Sequence, residues 1–246
     1  MPVSLAVLRS AYRLLQTASF YLSVLPVVAF AQRDPPVSIR GHSLVFQRID
    51  GGSSAVTTER MPAGGGGTVT VVSVGRGDIR AHALPVSEPN DVSFEQIGET
   101  HHYTNWQSSG TALYAAIAAT GDGARAVRVA TPPNDEVTLA AVVVAGRRIQ
   151  DFAWNEVLAG NALTSGTVTT TGPATLVAFW WGDAGVRYDK QAVPSRGFQV
   201  IDAVLESGAL VQCAVAVRHV DEAGRYEVTW RAYPEQGAQL WLVAIE

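Results

Sequence analysis

The stretch TVTTTGPATLVAFWWGD, residues 167–183, constrains the fold more than any other part of the chain. It starts with a β-branched run, Gly172-Pro173 interrupts it, and residues 174–181 are apolar at nearly every position. Such a run is too short to span a membrane and too rich in large side chains for a loop. It predicts a strand covered on both faces, or one that ends where a tryptophan reaches the surface.

Similar strand signals, separated by glycine or Asx turns, follow one another along the chain. They cover residues 43–49, 68–75, 92–97, 111–119, 125–130, 138–145, 198–205, 210–220, 225–233 and 238–245. Residues 111–119 and 125–130 are predicted to pair as a hairpin, and so are 210–220 and 225–233. The pattern predicts an all-β fold of two antiparallel sheets, a jelly-roll-like β-sandwich, and we find no internal repeat of fixed period.

The first 31 residues differ in character from the rest. They carry Arg9 and Arg13, no acidic residue, and an apolar run that ends in Ala29-Phe30-Ala31. This pattern predicts a signal peptide cleaved after Ala31, and hence a secreted or periplasmic protein. An ordinary N-terminal helix and a retained membrane anchor are the alternatives.

After the predicted signal peptide we expect a linker over residues 32–42 and a single sandwich domain over residues 43–246. Of the 246 residues, 47% are hydrophobic and 16% charged, so the chain can bury a core. Cleavage would remove two arginines and no acid, which leaves 16 basic and 22 acidic residues and a net charge of −6. We therefore expect neither a nucleic-acid partner nor a membrane span in the mature chain.

Catalytic motifs are missing from the sequence. It contains no G-x-S-x-G elbow and no zinc-type histidine spacing, and the neighbours His101 and His102 would point to opposite faces of a strand. The only cysteine, Cys213, lies in an apolar strand pattern and is predicted to be a buried, inert thiol. Glu136, Glu156 and Asp183 are the acids to test if the protein is a glycoside hydrolase.

Cofactors are not expected, with calcium as the alternative. Carboxylate and amide oxygens lie in several turns, where they could bind calcium or simply form the turns. These turns contain Gly121-Asp122-Gly123, Asn134-Asp135-Glu136, Gly182-Asp183 and Asp189.

Aromatic rings beside polar side chains provide the most specific functional signal. Residues 99–110 are predicted to be an exposed loop or strand end, and residues 149–165 to hold the only short helix. Flat rings stack on the C–H faces of sugars, and neighbouring amides and carboxylates bind hydroxyl groups. The predicted ligand-binding residues are Tyr103, Trp106, Trp154, Trp181, Asp183 and Tyr188. The alternative is that Trp154 and one of Trp180 and Trp181 belong to the core.

Three segments resemble a loosely defined group of mostly uncharacterised secreted bacterial β-sandwich proteins. They are WQSSGTALY at residues 106–114, PATLVAFWWGD at residues 173–183 and QGAQLWLVAIE at residues 236–246. The resemblance extends from about residue 42 onward. It implies a sandwich fold and export, and it transfers no catalytic residue.

Three hypotheses follow for the function. The first is a secreted, non-catalytic β-sandwich that binds a carbohydrate or another surface polymer through its aromatic and polar loops. The second is a structural or assembly subunit of a cell-surface homo-oligomer, suggested by the apolar strands at residues 68–75 and 238–245. The third is a hydrolase that acts on an extracellular polymer.

Overall fold

Antiparallel strands make up nearly all of the described structure, as the sequence predicts. The computed structural model describes residues 38–48, 52–62, 67–79, 83–89, 92–118, 124–182, 189–205 and 212–246. The strands are β1 (Ile39–Gln47), β2 (Ala55–Thr57), β3 (Met61–Pro62), β4 (Thr68–Arg76), β5 (Val86–Glu88), β6 (Glu95–Tyr103), β7 (Trp106–Ala118), β8 (Ala124–Ala130), β9 (Val137–Ala145), β10 (Ile149–Thr164), β11 (Val168–Thr170), β12 (Ala174–Gly182), β13 (Gln191–Pro194), β14 (Gln199–Val204), β15 (Gln212–Val220), β16 (Gly224–Tyr226) and β17 (Thr229–Ile245). Within these ranges, no helix has the length and hydropathy needed to cross a membrane.

Two antiparallel sheets, one of five strands and one of six, pack face to face and form the centre of the molecule, and in the six-stranded sheet β13 pairs with β17 outside the main strand order. The N-terminal sheet has the order β1-β9-β4-β7-β6, and the C-terminal sheet has the order β10-β17-β12-β15-β14. β1 lies opposite β14, and β6 lies opposite β10. The result is a β-sandwich, which confirms the predicted fold class.

The core between the two sheets is built by every second residue of their strands, because successive side chains of a strand point to opposite faces. Val69, Val71 and Leu113 come from the N-terminal sheet, and Phe179 and Trp241 are among the residues from the C-terminal sheet. The intervening residues pack outward against smaller sheets. β2, β3 and β5 pair with β8 over the N-terminal sheet, while β11, β13, β16 and the first part of β17 cover the C-terminal sheet.

The two halves of the chain, residues 39–145 and 149–245, repeat one topology. In the N-terminal half β1 pairs with β9, β9 with β4, β4 with β7 and β7 with β6. In the C-terminal half β10 pairs with β17, β17 with β12, β12 with β15 and β15 with β14. The register repeats as well, since it shifts between Ile39 and Gly41 in β1 and between Ile149 and Asp151 in β10. The connections differ in length between the halves. For that reason no fixed period is visible in the sequence.

Several predictions about individual segments are confirmed. β12 is buried along its whole length, so the stretch that most constrained the fold is covered on both faces. The apolar segments at residues 68–75 and 238–245 are both central, since β4 and β17 each have partners on two sides. Val228 and Trp230 are buried while Glu227 and Arg231 are exposed, as the alternation in that segment predicts.

Other predictions are wrong. Residues 149–165 form strand β10 and not a helix, because their pairing with β17 satisfies the backbone. β1 begins at Ile39, inside the expected linker, because that side chain is part of the core. Neither predicted hairpin forms, since β8 pairs with β2, β3 and β5, and β15 pairs with β12 and β14. The predicted signal peptide, residues 1–31, lies outside the described residues.

Candidate functional site

The hairpin formed by β6 and β7 carries the most exposed tryptophan. Its two strands are joined by Thr104 and Asn105, and Tyr103 pairs directly with Trp106. β7 pairs with β4 only from Gly110 onward, so the end of the hairpin extends past the neighbouring strand. Trp106 is 60% exposed. We call residues 103–107 the hairpin tip; they were predicted to be a loop or strand end, and they are the turn and strand ends of this hairpin.

Glu156 of β10 attaches the hairpin tip to the other sheet. Its Oε1 accepts a hydrogen bond of 3.0 Å from the backbone N–H of Thr104, and its Oε2 accepts another from the Thr104 hydroxyl. The side-chain amide of Gln239 donates to the same Oε1 at 3.2 Å. The carboxylate therefore connects β10 and β17 of one half of the chain to the β6–β7 turn of the other.

The network continues into the core. The carbonyl oxygen of the Gln239 side chain accepts a hydrogen bond of 2.8 Å from the Thr111 hydroxyl, which itself accepts one of 3.0 Å from Nε1 of Trp241. Thr111 and Gln239 thus each donate one hydrogen bond and accept another, and Glu156 accepts at the end of the series. This chain of bonds fixes the orientation of the Gln239 amide and of the carboxylate that receives it.

Tyr103 and Trp181 pack beneath the hairpin tip. Their ring centroids are 5.9 Å apart in an edge-to-face arrangement, and both side chains are buried. The Tyr103 hydroxyl accepts a hydrogen bond of 3.2 Å from the Asn105 side chain. A Cβ added to Gly237 would lie 2.2 Å from that hydroxyl and 2.6 Å from the Leu158 carbonyl oxygen, so only glycine fits here. The hairpin tip is therefore held by packing as well as by hydrogen bonds.

A stacked pair of rings closes the seam between the edge strands β6 and β10. The His101 and Trp154 rings lie 3.7 Å apart and 6° from parallel, and His101 also contacts Trp241 at 5.1 Å. Burial lowers the pKa of His101 below its usual 6.5, against the opposing effect of the carboxylates of Glu99 and Glu156. The imidazole in the stack is therefore neutral at pH 7.

The predicted ligand-binding residues divide into three groups. Trp106 is exposed and Trp154 is half-buried, and both lie on or beside the hairpin. Tyr103 and Trp181 fill the space beneath the tip with 1% and 2% exposure, so neither ring is accessible at the surface, and for Trp181 this matches the alternative of a core position. Asp183 and Tyr188 lie outside the described residues. The structure thus brings four of the six aromatic and polar candidates to one end of the sandwich.

Sequence reasoning missed the residues that anchor the hairpin. Thr111 and Gln239 were not singled out, and Glu156 was considered only as an acid for hydrolysis. The signal was present in β10, where Phe152, Trp154 and Glu156 alternate along one face of a strand. Reading that segment as a helix concealed the alternation.

Among the described residues, the positions related to this network by the repeat do not carry the same bonded groups. The repeated registers relate positions of the N-terminal half to positions of the C-terminal half. The related pairs are His42 and Phe152, Leu44 and Trp154, Phe46 and Glu156, Thr138 and Gln239, Ala140 and Trp241, and Thr111 and Cys213. At the opposite seam, phenylalanine, alanine and cysteine thus replace the bonded groups. Within the described part of the chain, the bonds from Glu156 through Gln239 and Thr111 to Trp241 are therefore found at the seam beside the hairpin and not at these related positions.

The opposite seam is closed in a simpler way. There His42 of β1 and Asp202 of β14 form a contact of 3.3 Å between Nδ1 and a carboxylate oxygen. At the seam beside the hairpin, Phe152 holds the position related to His42 and lies against Gly98, whose φ of +68° and missing side chain let the two strands approach. One seam is closed by a polar pair and the other by aromatic rings, of which Phe152 is 39% exposed.

The acids suggested for hydrolysis or for calcium have other partners. Asp135 is buried, and one of its oxygens accepts a hydrogen bond of 2.7 Å from Nε of Arg76, the other one of 2.9 Å from the Asp78 backbone. Glu136 is buried as well, and Glu156 holds the hairpin. Asp122 and Asp183 lie outside the described residues. Within the described part of the chain, no three histidine, cysteine, aspartate or glutamate residues are grouped as metal ligands would be.

Cys213 is buried and faces the core, as predicted. Burial is the main cause that raises the pKa of its thiol far above the usual value, and the nearby charge of Asp202 adds to it. A thiol in this state is a poor nucleophile.

The strands that suggested an assembly interface are covered within the chain itself. β4 and the second half of β17 are buried between neighbouring strands and layers. In addition, the strands at the ends of the two central strand orders, β1, β6, β10 and β14, each have an irregular register. The central strands β4 and β12 pair regularly with their neighbours. The shifts lie between Ile39 and Gly41 in β1, Ile97 and His101 in β6, Ile149 and Asp151 in β10, and Val200 and Asp202 in β14. Irregular edges oppose strand-to-strand association.

Comparisons of the chain with known protein families, with curated proteins and with solved structures found no match. The resemblance to secreted bacterial β-sandwich proteins therefore stays a prediction. The case for a function depends on the geometry of the hairpin.

Proposed function

We propose that this protein is a non-catalytic β-sandwich that binds a carbohydrate or a similar surface polymer at the hairpin tip. The observation that carries the proposal is Trp106, whose indole ring is 60% exposed on a hairpin anchored at two points. An exposed indole on a rigid support binds without first losing conformational freedom. That is what a stacking platform for sugar rings requires.

Polar residues suited to hydroxyl recognition adjoin Trp106 in the hairpin tip. Asn105 and Gln107 flank Trp106 in sequence, and both are exposed. Along the seam, Phe152 adds a second apolar surface. A ring that stacks together with amides that donate and accept hydrogen bonds matches the two kinds of surface on a sugar.

Comparison of the halves supports this location. The bonds from Glu156 through Gln239 to Thr111 have no counterpart at the described related positions, which hold the half-buried Phe46 and the buried Cys213. A feature that one half has and the equivalent half lacks is not needed for folding the repeat. We attribute it to holding the tip in place for a ligand.

Export is part of the proposal, since a surface polymer is met outside the cytoplasm. It is supported by the pattern of residues 1–31, which has two arginines, an apolar run and a small-residue end. The mass of the protein recovered from its host tests this point, because cleavage after Ala31 removes a defined segment.

The experiment is a binding panel of soluble polysaccharides, measured by affinity electrophoresis and calorimetry with the wild type, Trp106→Ala and Ile117→Ala. Ile117 is 57% exposed and lies at the other end of β7, roughly 36 Å away along the strand. We expect Trp106→Ala to weaken binding at least about 30-fold. Ile117→Ala should leave it unchanged. Equal affinities of the two variants for every bound polymer would refute the assignment.

A further inference from the structure

We propose that the hairpin tip selects uncharged glycans and rejects acidic ones, and that Glu99 is the residue that enforces the rejection. This inference rests on the proposed function and adds the chemical class of the ligand. It follows from the charges of the two edge strands that border the site.

The edge strands carry charge of one sign. β6 contains Glu95 and Glu99, and β10 contains Asp151 and Glu156. There is no lysine or arginine in residues 95–110 or 149–164. An anionic polymer that approaches Trp106 along the seam thus meets carboxylates and no cationic side chain from either strand.

Two of the four carboxylates are held by the protein. Asp151 accepts hydrogen bonds from the backbone N–H groups of Phe152 at 2.9 Å and Thr169 at 2.7 Å. Glu156 is held by Thr104 and Gln239. These bonds fix the positions of both carboxylates along the seam.

The other two, Glu95 and Glu99, are exposed and form no hydrogen bond or ion pair with another described residue. Glu99 lies in the register shift of β6, next to Gly98, which contacts Phe152. It also lies close enough to His101 to act on that ring electrostatically. Glu99 is therefore the unpaired carboxylate that is nearest to the aromatic surface of the seam.

No positive charge from the stacked histidine offsets these acids at neutral pH. The His101 ring lies against Trp154, and burial lowers its pKa below the usual value. A like charge about 7 Å from one carboxylate in water lowers affinity about threefold at low ionic strength, and salt screens this effect. An acidic polymer carries several carboxylates, and each of them adds to this loss of affinity.

The test uses pairs of polymers that share a backbone and differ in charge. Highly methyl-esterified homogalacturonan is compared with the same polymer after saponification, and hydroxyethyl cellulose with carboxymethyl cellulose. Dextran and dextran sulfate form the third pair. Affinities are measured at about 20 mM and about 500 mM salt. At these concentrations the electrostatic screening length is about 20 Å and about 4 Å. The proteins are the wild type, Glu99→Gln and Glu227→Gln, which removes an exposed carboxylate from the connection between β16 and β17.

For any polymer pair that the protein binds, we expect the uncharged polymer to bind at least about 10-fold more tightly than the acidic one at low salt. This difference in affinity should become smaller at high salt. Glu99→Gln should raise affinity for the acidic member about threefold and leave the uncharged member unchanged. Glu227→Gln should change neither. Equal or tighter binding of the acidic member, or equal effects of the two variants, would overturn the inference while the proposed function stands. Binding of no polymer would refute the proposed function and this inference with it.

Discussion

Glu156 on the edge of one sheet receives two hydrogen bonds from Thr104, a residue of the turn that joins two strands of the other sheet. This contact joins the two halves of the chain at a seam whose hydrogen-bonded side chains differ from those at the related positions of the other half. It also positions the only strongly exposed tryptophan of the protein. The predictions below test that arrangement.

Replacing Glu156 by alanine should loosen the hairpin tip. The Thr104 N–H and the Gln239 amide would lose their acceptor, which costs about 1–2 kcal/mol of unfolding free energy. Urea denaturation measures the loss, and hydrogen exchange should show faster exchange at residues 103–107. Glu95→Ala, which removes an exposed carboxylate from β6, is the control and should change neither quantity. Equal effects of both substitutions would contradict the anchoring role.

Gly237→Ala should displace Tyr103 from beneath the tip. The new Cβ would lie 2.2 Å from the Tyr103 hydroxyl, and a clash of this kind in a packed region costs about 2 kcal/mol or more. The matched control is Gly172→Ala, since nothing lies within 4 Å of a Cβ added there. Thermal unfolding should separate the two variants clearly. A Gly237→Ala protein as stable as the control would show that Tyr103 is not packed as described.

Stability should fall as the pH drops from about 7 to 5. Folded His101 has a pKa below 6.5 because it is buried, so it binds a proton more weakly than the unfolded chain does. The contribution of His101 to the free energy of unfolding is complete above pH 6.5 and declines as the pH falls through that value. It stops changing once the pH is below the pKa of the folded state. Glu99, Glu156 and His102 are the charged or titratable groups that act on it.

The histidine responsible can be identified by substitution. His101→Phe keeps a flat ring against Trp154 and removes the titration, so denaturation midpoints should depend less on pH between 7 and 5. His219→Gln replaces an exposed histidine and should leave the pH dependence as it is. An unchanged slope in His101→Phe would rule out the stacked ring as its source.

Cys213 should not react with thiol reagents while the protein is folded. Burial raises the pKa of the thiol and excludes the reagent. The rate of modification should match the rate of global unfolding and should rise with urea. Rapid modification in native buffer, with no loss of structure, would show that β15 opens locally.

Local patterns predicted much of this fold from the sequence alone. The apolar run of β12 and the alternation around Trp230 mark strands and their buried faces. Which strands pair was beyond the sequence, because β8 and β17 take partners far away in the chain. The sequence left the choice between a surface and a core position for Trp181 open for the same reason. Its burial depends on Tyr103, which reaches it from the other sheet.

The candidate site was predicted only in outline. Aromatic residues near one end of the sandwich were foreseen, and Trp106 is exposed as expected. The hydrogen bonds from Glu156 to Gln239 and Thr111 join residues from both halves. No pattern within one segment could reveal them, since each of the three positions is also typical of an ordinary strand.

Acrylamide quenching of tryptophan fluorescence, with and without a saturating polymer identified in the binding panel, shows whether the ligand covers Trp106. Trp106 is 60% exposed, whereas Trp154 is half-buried and the other four tryptophans are at most 2% exposed. We expect the polymer to protect the readily quenched component of the fluorescence from acrylamide, and we expect this component to be absent in Trp106→Phe. A polymer that binds while Trp106 stays as accessible as before would contradict it.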